Sequence, residues 1–223
     1  MAAALALGAA PASAAVFITA ATGVDVVKVK AFGGDQVGNT VLGVADGTSD
    51  VVEFSSSTLL ELTGSGYANI SGVVQDGVNG KGEPKYKKTT FSDFNVSLQD
   101  PALGFTILEF NGMAKDNLYA DLTATLVGGG TVSLPNVLFD NGENKYRVYA
   151  TGGDIITNLS FLGFSTPEGD TPAGWDQFKQ FDISTAPISA IPEPATWGMM
   201  ILGFAGIGSM LRRSRRNGAP ATA

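Results

Sequence analysis

The side chains available for chemistry in this chain are carboxylates, because the common ligands of transition metals are absent. Among the 223 residues there is no histidine and no cysteine. This composition excludes zinc, copper, haem and iron–sulfur sites built on those two residues, as well as disulfides and catalysis by Ser-His-Asp or Cys-His groups. Two kinds of chemistry remain: hydrolysis of glycosides by a pair of carboxyl groups, and calcium binding by oxygen ligands alone.

One turn has the composition of an oxygen-rich calcium site. Residues 140–144 read Asp-Asn-Gly-Glu-Asn, so Asp140 and Glu143 are the candidate metal ligands. The segment lacks the spacing of an EF-hand loop, and a plain hairpin turn is the favoured interpretation. Calcium is the single cofactor considered, and otherwise none is expected.

The acidic residues of the predicted strands do not form an evident catalytic pair. A glycosidase needs an acid and a base or nucleophile about 5–10 Å apart across a cleft. Glu53, Glu61 and Glu109 lie in predicted strands, but their spacing singles out no pair. No catalytic residue is therefore assigned, and an enzyme is not expected. For sugar binding without catalysis, Trp175 in the loop 166–177 is the best candidate contact, although an aromatic cap on the core is the favoured interpretation of this residue.

The charge of the chain is divided between an acidic body and a basic cluster. Of the 14 basic residues, the last four are Arg212, Arg213, Arg215 and Arg216, and all 21 acidic residues precede them. An acidic body disfavours nucleic acid, because binding phosphates requires clustered lysine and arginine. The lysine-rich segment 81–88 is interpreted as a solvated loop.

A run of 17 uncharged residues, 195–211, precedes this cluster and predicts a transmembrane helix. At ~1.5 Å per residue such a helix spans about 25 Å, slightly less than a ~30 Å hydrocarbon core. The arginines that follow it act as a membrane stop and, by the positive-inside rule, place the C-terminal side in the cytoplasm. A buried core helix is the alternative interpretation.

The first 14 residues have features of a secretory signal peptide. They are apolar and uncharged, and Ala12 and Ala14 form the small-x-small pattern that predicts cleavage after Ala14. The basic region that normally opens such a signal is missing. A signal peptide and the orientation of the C-terminal span agree in placing the body of the protein outside the cytoplasm.

The order of parts near the C-terminal side resembles a known sorting signal. Pro192, Glu193 and Pro194, then Trp197, then the apolar run and the arginine cluster resemble the PEP-CTERM tail of bacterial exosortase substrates, in its Pro-Glu-Pro-x-x-Trp subtype. The resemblance covers about 25 residues. Such tails are also labelled ice-binding protein C-terminal domains, a label that says nothing about ice binding here.

The resemblance implies how the protein is handled by its host. It implies a Gram-negative envelope protein that is exported, anchored transiently in the inner membrane, recognised by exosortase and then placed in the envelope or the extracellular space. It also implies a link to extracellular polysaccharide or biofilm matrix. The Pro-Glu-Pro motif with Trp197 is the element that exosortase would recognise.

The body, residues 22–185, has the pattern of an all-β fold. Apolar and polar residues alternate in short segments, and glycine-rich turns separate them about every ten residues. The predicted strands are 27–31, 40–44, 51–54, 58–63, 67–74, 94–98, 105–111, 118–127, 131–139, 145–150, 155–164 and 178–183. These strands predict a two-sheet, jelly-roll-like β-sandwich, with a barrel as the alternative. The predicted core includes Leu122, Leu126, Phe105, Ile107, Val148, Leu159 and Phe161.

The chain is therefore divided into five predicted parts. They are a signal peptide (1–14), a β-sandwich domain (15–185), a spacer (186–191), the sorting signal (192–216) and a cytoplasmic tail without fixed structure (217–223). The favoured function is a non-enzymatic envelope or matrix protein associated with exopolysaccharide. The alternative is a lectin-like carbohydrate-binding module that could use calcium, and a carboxylate glycosidase is the least favoured.

Overall fold

The structure is a computed structural model that describes residues 15–64, 66–169 and 171–188, together with Phe204. The chain divides into two compact units, Met1–Ile188 and Ser189–Ala223, and the fold described here is that of the first. Between residues 15 and 188 the described residues form strands, turns and irregular segments, with no helix among them. The prediction of an all-β body is confirmed.

The first unit contains thirteen strands. Their bounds are β1 Ala15–Ala20, β2 Val27–Ala31, β3 Gln36–Ala45, β4 Val51–Thr63, β5 Asn69–Val78, β6 Pro84–Thr89, β7 Asp93–Leu98, β8 Leu103–Ala114, β9 Leu118–Leu126, β10 Thr131–Phe139, β11 Gly142–Thr151, β12 Ile156–Phe164 and β13 Gln177–Pro187.

Seven of these strands close into a barrel, in which every pair is antiparallel. Its order is β8, β13, β2, β3, β4, β7 and β12, and a single pair between Ile156 and Phe105 returns from β12 to β8. The other six strands pair with barrel strands or with one another: β5 with β4, β13 and β6, β11 with β8 and β1, and β9 with β12 and β10. The predicted sandwich and jelly roll are not confirmed, and the strand pairing follows the barrel alternative. Closure satisfies backbone groups that an open sheet would leave unpaired at its edges.

Strand β9 shows why the alternating pattern was informative. Its nine residues alternate between buried and partly buried, with Leu118, Leu122 and Leu126 on the buried side. Opposite faces of a strand carry successive side chains, so the pattern places one face in the core. The predicted core residues are confirmed here and in the neighbouring strands, with one exception.

The exception is Ile107, which is partly exposed whereas its neighbour Leu108 is buried. The register of β8 against β13 shifts here: Ile107 pairs with Ser184, and Phe105 pairs with Thr185. The extra residue in β8 is a bulge, which turns the following side chains to the opposite face. Ile107 therefore faces outward although Phe105 faces the core.

One further prediction was wrong. The segment 81–88 is not simply a loop, because Pro84–Thr89 forms β6, an edge strand that pairs with β5. Its lysines project from an outer edge, where charge discourages pairing with other chains. The predicted strands 51–54 and 58–63 are confirmed as strand but are joined in one continuous strand, β4, and β1 was not predicted.

The core is dominated by aromatic side chains. Phe94 stacks on Phe178 with ring centroids 4.7 Å apart, and Phe110 meets Phe161 edge to face at 5.0 Å. Offset and edge-to-face pairs are the favourable geometries for such rings. These contacts tie β7, β8, β12 and β13 together across the barrel interior.

Several predicted features lie outside the part of the chain that the structure describes. They are the signal peptide with Ala12 and Ala14, the sorting motif with Trp197, the span 195–211 apart from Phe204, and the arginines 212–216. Among the described residues, no helix has the length and apolar character needed to cross a membrane.

The core assignment is tested by replacing Leu122, which is fully buried, with alanine. Leu122→Ala should lower the free energy of unfolding by about 2–5 kcal/mol, measured by urea denaturation, because it leaves a cavity in the core. The matched control is Leu162→Ala, at a position 46% exposed. Equal losses in the two variants would show that the buried face of the sheet is misassigned.

Candidate functional site

A polar cleft of about 250 Å³ lies on the outer face of the sheet formed by β11, β8 and β13. Its lining residues are Ala21, Gly23, Tyr67, Glu109, Phe110, Asn111, Lys145, Gln180 and Asp182. Strand pairing brings them together from distant parts of the sequence, so the cleft depends on the fold rather than on any local motif.

Four charged side chains occupy one row across adjacent strands beside this cleft. Arg147 of β11 pairs with Glu109 of β8, Glu109 pairs with Asp182 of β13, and Asp182 pairs with Lys28 of β2. Directly opposed residues in antiparallel strands have their side chains on the same face, close enough to interact. The two acids are thus flanked on either side by a base.

The carboxylate of Glu109 is buried and fully engaged. Its side chain is 3% exposed, and Arg147 Nη1 donates to Oε1 at 2.9 Å. The backbone N–H of Thr22 donates to Oε1 at 3.0 Å, and that of Gly23 donates to Oε2 at 2.9 Å. Burial disfavours the charged form, but these donors together outweigh it and hold the pKa of Glu109 below its ordinary value.

Asp182 has the opposite electrostatic environment, although it is the cross-strand neighbour of Glu109. Burial, reinforced by the negative charge on Glu109, raises the pKa of Asp182 to about 6. The Tyr67 hydroxyl and the charge on Lys28 act in the other direction and only partly compensate. At neutral pH this carboxylate is charged but poorly compensated, so it is a hydrogen-bond acceptor with unused capacity.

Next to these acids, β13 is distorted in a way that directs a side chain to the cleft. Lys179 pairs with Asn111, and Asp182 pairs with Glu109, so β13 has one more residue than β8 over this interval. Gln180 lies in the resulting bulge with φ of +55°. The left-handed region is unfavourable for a residue other than glycine, and bulges often re-aim side chains beside binding sites.

Trp175 packs against the core, as the favoured interpretation of an aromatic cap predicted. It is fully buried, 5.1 Å from Phe178 and 5.5 Å from Phe139 between ring centroids. The backbones of Phe91 and Trp175 exchange hydrogen bonds, which draws this loop over the core. The predicted sugar contact is therefore wrong in this structure, because no face of the ring is accessible.

Asp140 and Glu143 form a hydrogen-bonded turn. The side chain of Asn144 accepts from the backbone N–H of Asp140 at 3.0 Å and donates to its carbonyl at 2.8 Å. Glu143 pairs with Lys179 at 2.6 Å and accepts from Asn111 at 3.0 Å. Within the described ranges, no three acidic side chains converge as metal ligands would.

The fold does not bring the other candidate acids together. Glu53 and Glu61 both lie on β4, eight residues apart, which is roughly 25 Å along an extended strand. Sequence reasoning missed Asp182, Asn111 and Gln180, because the bulge that groups them leaves no compositional signal. The alternation in 178–183 indicated a strand there but not its partners.

The Glu109 network should be among the most sensitive points in the body. Glu109→Ala should lower the free energy of unfolding by about 3–5 kcal/mol at pH 7, because it leaves the partly buried guanidinium of Arg147 and two backbone N–H groups without their acceptor. In a double-mutant cycle, Arg147→Ala should be much less costly once Glu109 is absent. The control is Asp46→Ala, which removes an exposed ion pair with Lys30 and should have far less effect. Equal effects of the two acid-to-alanine changes would contradict the assignment.

Asp182 should make its own contribution to the pH dependence of stability. Because its pKa is raised from 3.8 to about 6, the folded state holds the proton more tightly than the unfolded state does. The stability that the folded state gains by binding this proton is therefore fully present below about pH 4 and is lost as the pH rises through 6.

Asp182→Asn should consequently raise the free energy of unfolding at pH 7.5 by roughly 1–2 kcal/mol, with allowance for solvent screening at this half-buried position. The difference between variant and parent should vanish near pH 4. Urea denaturation at both pH values measures it. A constant difference at both would mean that Asp182 is not perturbed.

The comparisons with known proteins concern the C-terminal part of the chain rather than the cleft. No curated protein and no solved structure shows a significant match. The family model described as PEP-CTERM protein-sorting motif matches residues 190–216. These residues include the Pro-Glu-Pro element, Trp197, the apolar run and the arginine cluster. The predicted resemblance is confirmed, and the chain carries a PEP-CTERM protein-sorting motif.

Proposed function

We propose that the protein is an exported, exosortase-sorted component of the cell envelope or extracellular matrix, and that it has no enzymatic activity. The observation that carries the proposal is the match of residues 190–216 to the PEP-CTERM protein-sorting motif. Such a tail implies secretion with a membrane anchor that holds the protein until exosortase acts. The associated ligand that we propose is extracellular polysaccharide.

The parts of the motif have separable physical roles in this proposal. Pro192 and Pro194 restrict φ and lack N–H donors, and these properties favour an extended backbone around Glu193 for recognition by a processing enzyme. The apolar run 195–211 would keep the Pro-Glu-Pro motif at a constant depth relative to the membrane, and Trp197 suits the membrane interface. The arginines 212–216 stop transfer, since moving each charge through hydrocarbon costs about 2.5–3.5 kcal/mol on insertion scales.

The carboxylates of the body support a non-enzymatic function. A glycosidase needs two carboxyl groups free to reach the glycosidic bond. Glu109 has both oxygens engaged by Thr22, Gly23 and Arg147, so Asp182 has no free partner beside it. A glycosidase remains the least favoured of the candidate functions.

A lectin-like carbohydrate-binding module is the second candidate, and one surface feature favours it. Phe17 of β1 is 45% exposed and stacks on Tyr149 of β11, with ring centroids 5.6 Å apart. Exposed aromatic faces offer apolar area beside polar groups, which suits the apolar face of a sugar ring. This pair lies on the same outer face of the sheet as the polar cleft.

The sorting proposal is tested by fractionation and mass spectrometry of both termini in an exosortase-bearing host. The mature protein should lack residues 195–211 there, and should keep them when exosortase is deleted. Glu193→Ala with Pro194→Ala should leave the protein bound to the membrane and unprocessed. The control pair, Pro167→Ala with Glu168→Ala, alters the same two residue types at an exposed turn of the body and should be processed normally.

Replacing the four arginines should instead produce protein that slips through the membrane or is secreted with the apolar run. If mass spectrometry finds residues 195–211 intact on all of the parent protein in the exosortase-bearing host, the sorting proposal is wrong. The segment would then be a permanent anchor.

A further inference from the structure

We propose that the polar cleft between β11, β8 and β13 binds one neutral, hydroxyl-rich sugar residue of a polysaccharide, with Asp182 and Gln180 as its principal hydrogen-bonding side chains. This inference rests on the proposed association with extracellular polysaccharide and names the site and ligand class for it. Four observations support it: a strained bulge, an unused buried acceptor, balanced charge and size.

The first observation is the backbone strain at Gln180. Its φ of +55° is costly for a residue with a side chain, and glycine at this position would avoid the cost. The Gln180 side chain lines the cleft, and its Oε1 accepts from Asn111 Nδ2 at 3.2 Å. This leaves the Gln180 amide N–H groups as donors beside the cleft. A strained backbone that presents a side chain to a cleft is typical of a binding site.

The second observation is an unused acceptor at the base of the cleft. Asn111 is 1% exposed, and its Nδ2 donates to both Glu143 and Gln180. Because a carboxylate oxygen only accepts, the contact with Glu143 fixes the amide with its Oδ1 on the other side. Among the described residues, Oδ1 has no hydrogen-bond partner. Buried acceptors without a donor are uncommon, so this atom calls for a donor from a bound water or from a ligand hydroxyl group.

The third observation is the mixture of charges around the cleft, which selects against an ionic ligand. Asp182 opposes an anion, whereas Lys145 lines the cleft and Lys28 lies over the Tyr67 ring at 4.1 Å from its centroid. The positive charges of Lys145 and Lys28 would repel a cation. A ligand with several hydroxyl groups is neutral and both donates and accepts, so it matches the Asp182 carboxylate, the Gln180 amide and the Tyr67 hydroxyl together.

The fourth observation is size. The cleft of about 250 Å³ is smaller than the roughly 300–1,000 Å³ pockets that hold drug-sized ligands. It accommodates one sugar ring rather than several. The remainder of a polysaccharide chain would therefore lie outside the cleft, along the exposed surface of the sheet.

The test uses the mature protein from an exosortase-bearing host and two sets of probes. The first is the purified extracellular polysaccharide of that host, and the second is the methyl glycosides of glucose, galactose, mannose and N-acetylglucosamine. Calorimetry and saturation-transfer NMR measure binding, and thermal unfolding reports the stability of each variant. Methylammonium and acetate serve as charged probes of similar or smaller size.

Two variants separate binding from folding. Gln180→Gly removes the side chain and relieves the strain, so it should weaken sugar binding at least tenfold while leaving the melting temperature unchanged or higher. Asp182→Asn should weaken binding to a similar extent without loss of fold. The matched control is Asn136→Gly, which likewise replaces an amide side chain by glycine at φ of +57°, in the exposed bulge of β10, and should leave binding unchanged.

Three outcomes would overturn the inference. One is that no methyl glycoside and no polysaccharide binds. Another is that methylammonium or acetate binds the cleft in preference to the glycosides. The third is that both cleft variants bind with the affinity of the parent, whereas Phe17→Ala abolishes binding. In that last case the proposed association with polysaccharide stands, and only the assignment to the cleft is wrong. A failure of sorting itself is detected separately, by the intact apolar run in fractionated membranes.

Discussion

The buried carboxylate of Glu109 is the interaction on which the outer face of this domain depends. A charge that is 3% exposed must be compensated nearby, and the compensation comes from Arg147 of β11 and from the backbone of Thr22 and Gly23. Those contacts tie the connection between β1 and β2 to the centre of the sheet. Among the described strands, β1 pairs only with β11. The contacts of this carboxylate therefore also fix the segment that follows an otherwise peripheral strand.

The same interaction gives two neighbouring acids different chemical characters. Hydrogen-bond donors surround Glu109 and keep it charged. Asp182, on the neighbouring strand, is half-buried, is repelled by that charge and has few donors of its own, so its pKa is raised. The residue types are nearly identical, and their positions are directly opposed. Their roles therefore follow from environment: one acid organises the sheet, and the other remains available to a ligand.

The accuracy of the sequence-based predictions depended on whether the relevant information was local. The alternation in β9 identified its buried face because one strand contains the whole pattern. The sorting motif was recognised because its residues are contiguous and require no tertiary structure. In contrast, Ile107 was misassigned because a bulge depends on the pairing of β8 with a strand more than seventy residues away.

The candidate site shows the same limit more strongly. Pairing of β13 with β8 is what brings Asp182, Asn111 and Gln180 together. No residue spacing within either strand predicts this contact. Trp175 shows a related limit. The sequence favoured an aromatic cap on the core but left a sugar contact open, and the backbone bridge to Phe91, which places the ring among the phenylalanines of the core, decides between them. That bridge joins residues 84 positions apart, so no local pattern could show it.

The position of β13 has a mechanical consequence. This strand is the last of the domain before the segment that carries the sorting motif, and it pairs with β8 at nine positions from Gln177 to Pro187. The backbone N–H of Ile188 extends the contact by donating to Ala102 at 2.7 Å. A pull applied parallel to β13 would strain these hydrogen bonds together, rather than opening them one after another. Because forced unfolding is governed by the unfolding rate, the pairing of β13 with β8, together with its shorter pairings with β2 and β5, would determine how long the domain resists such a load.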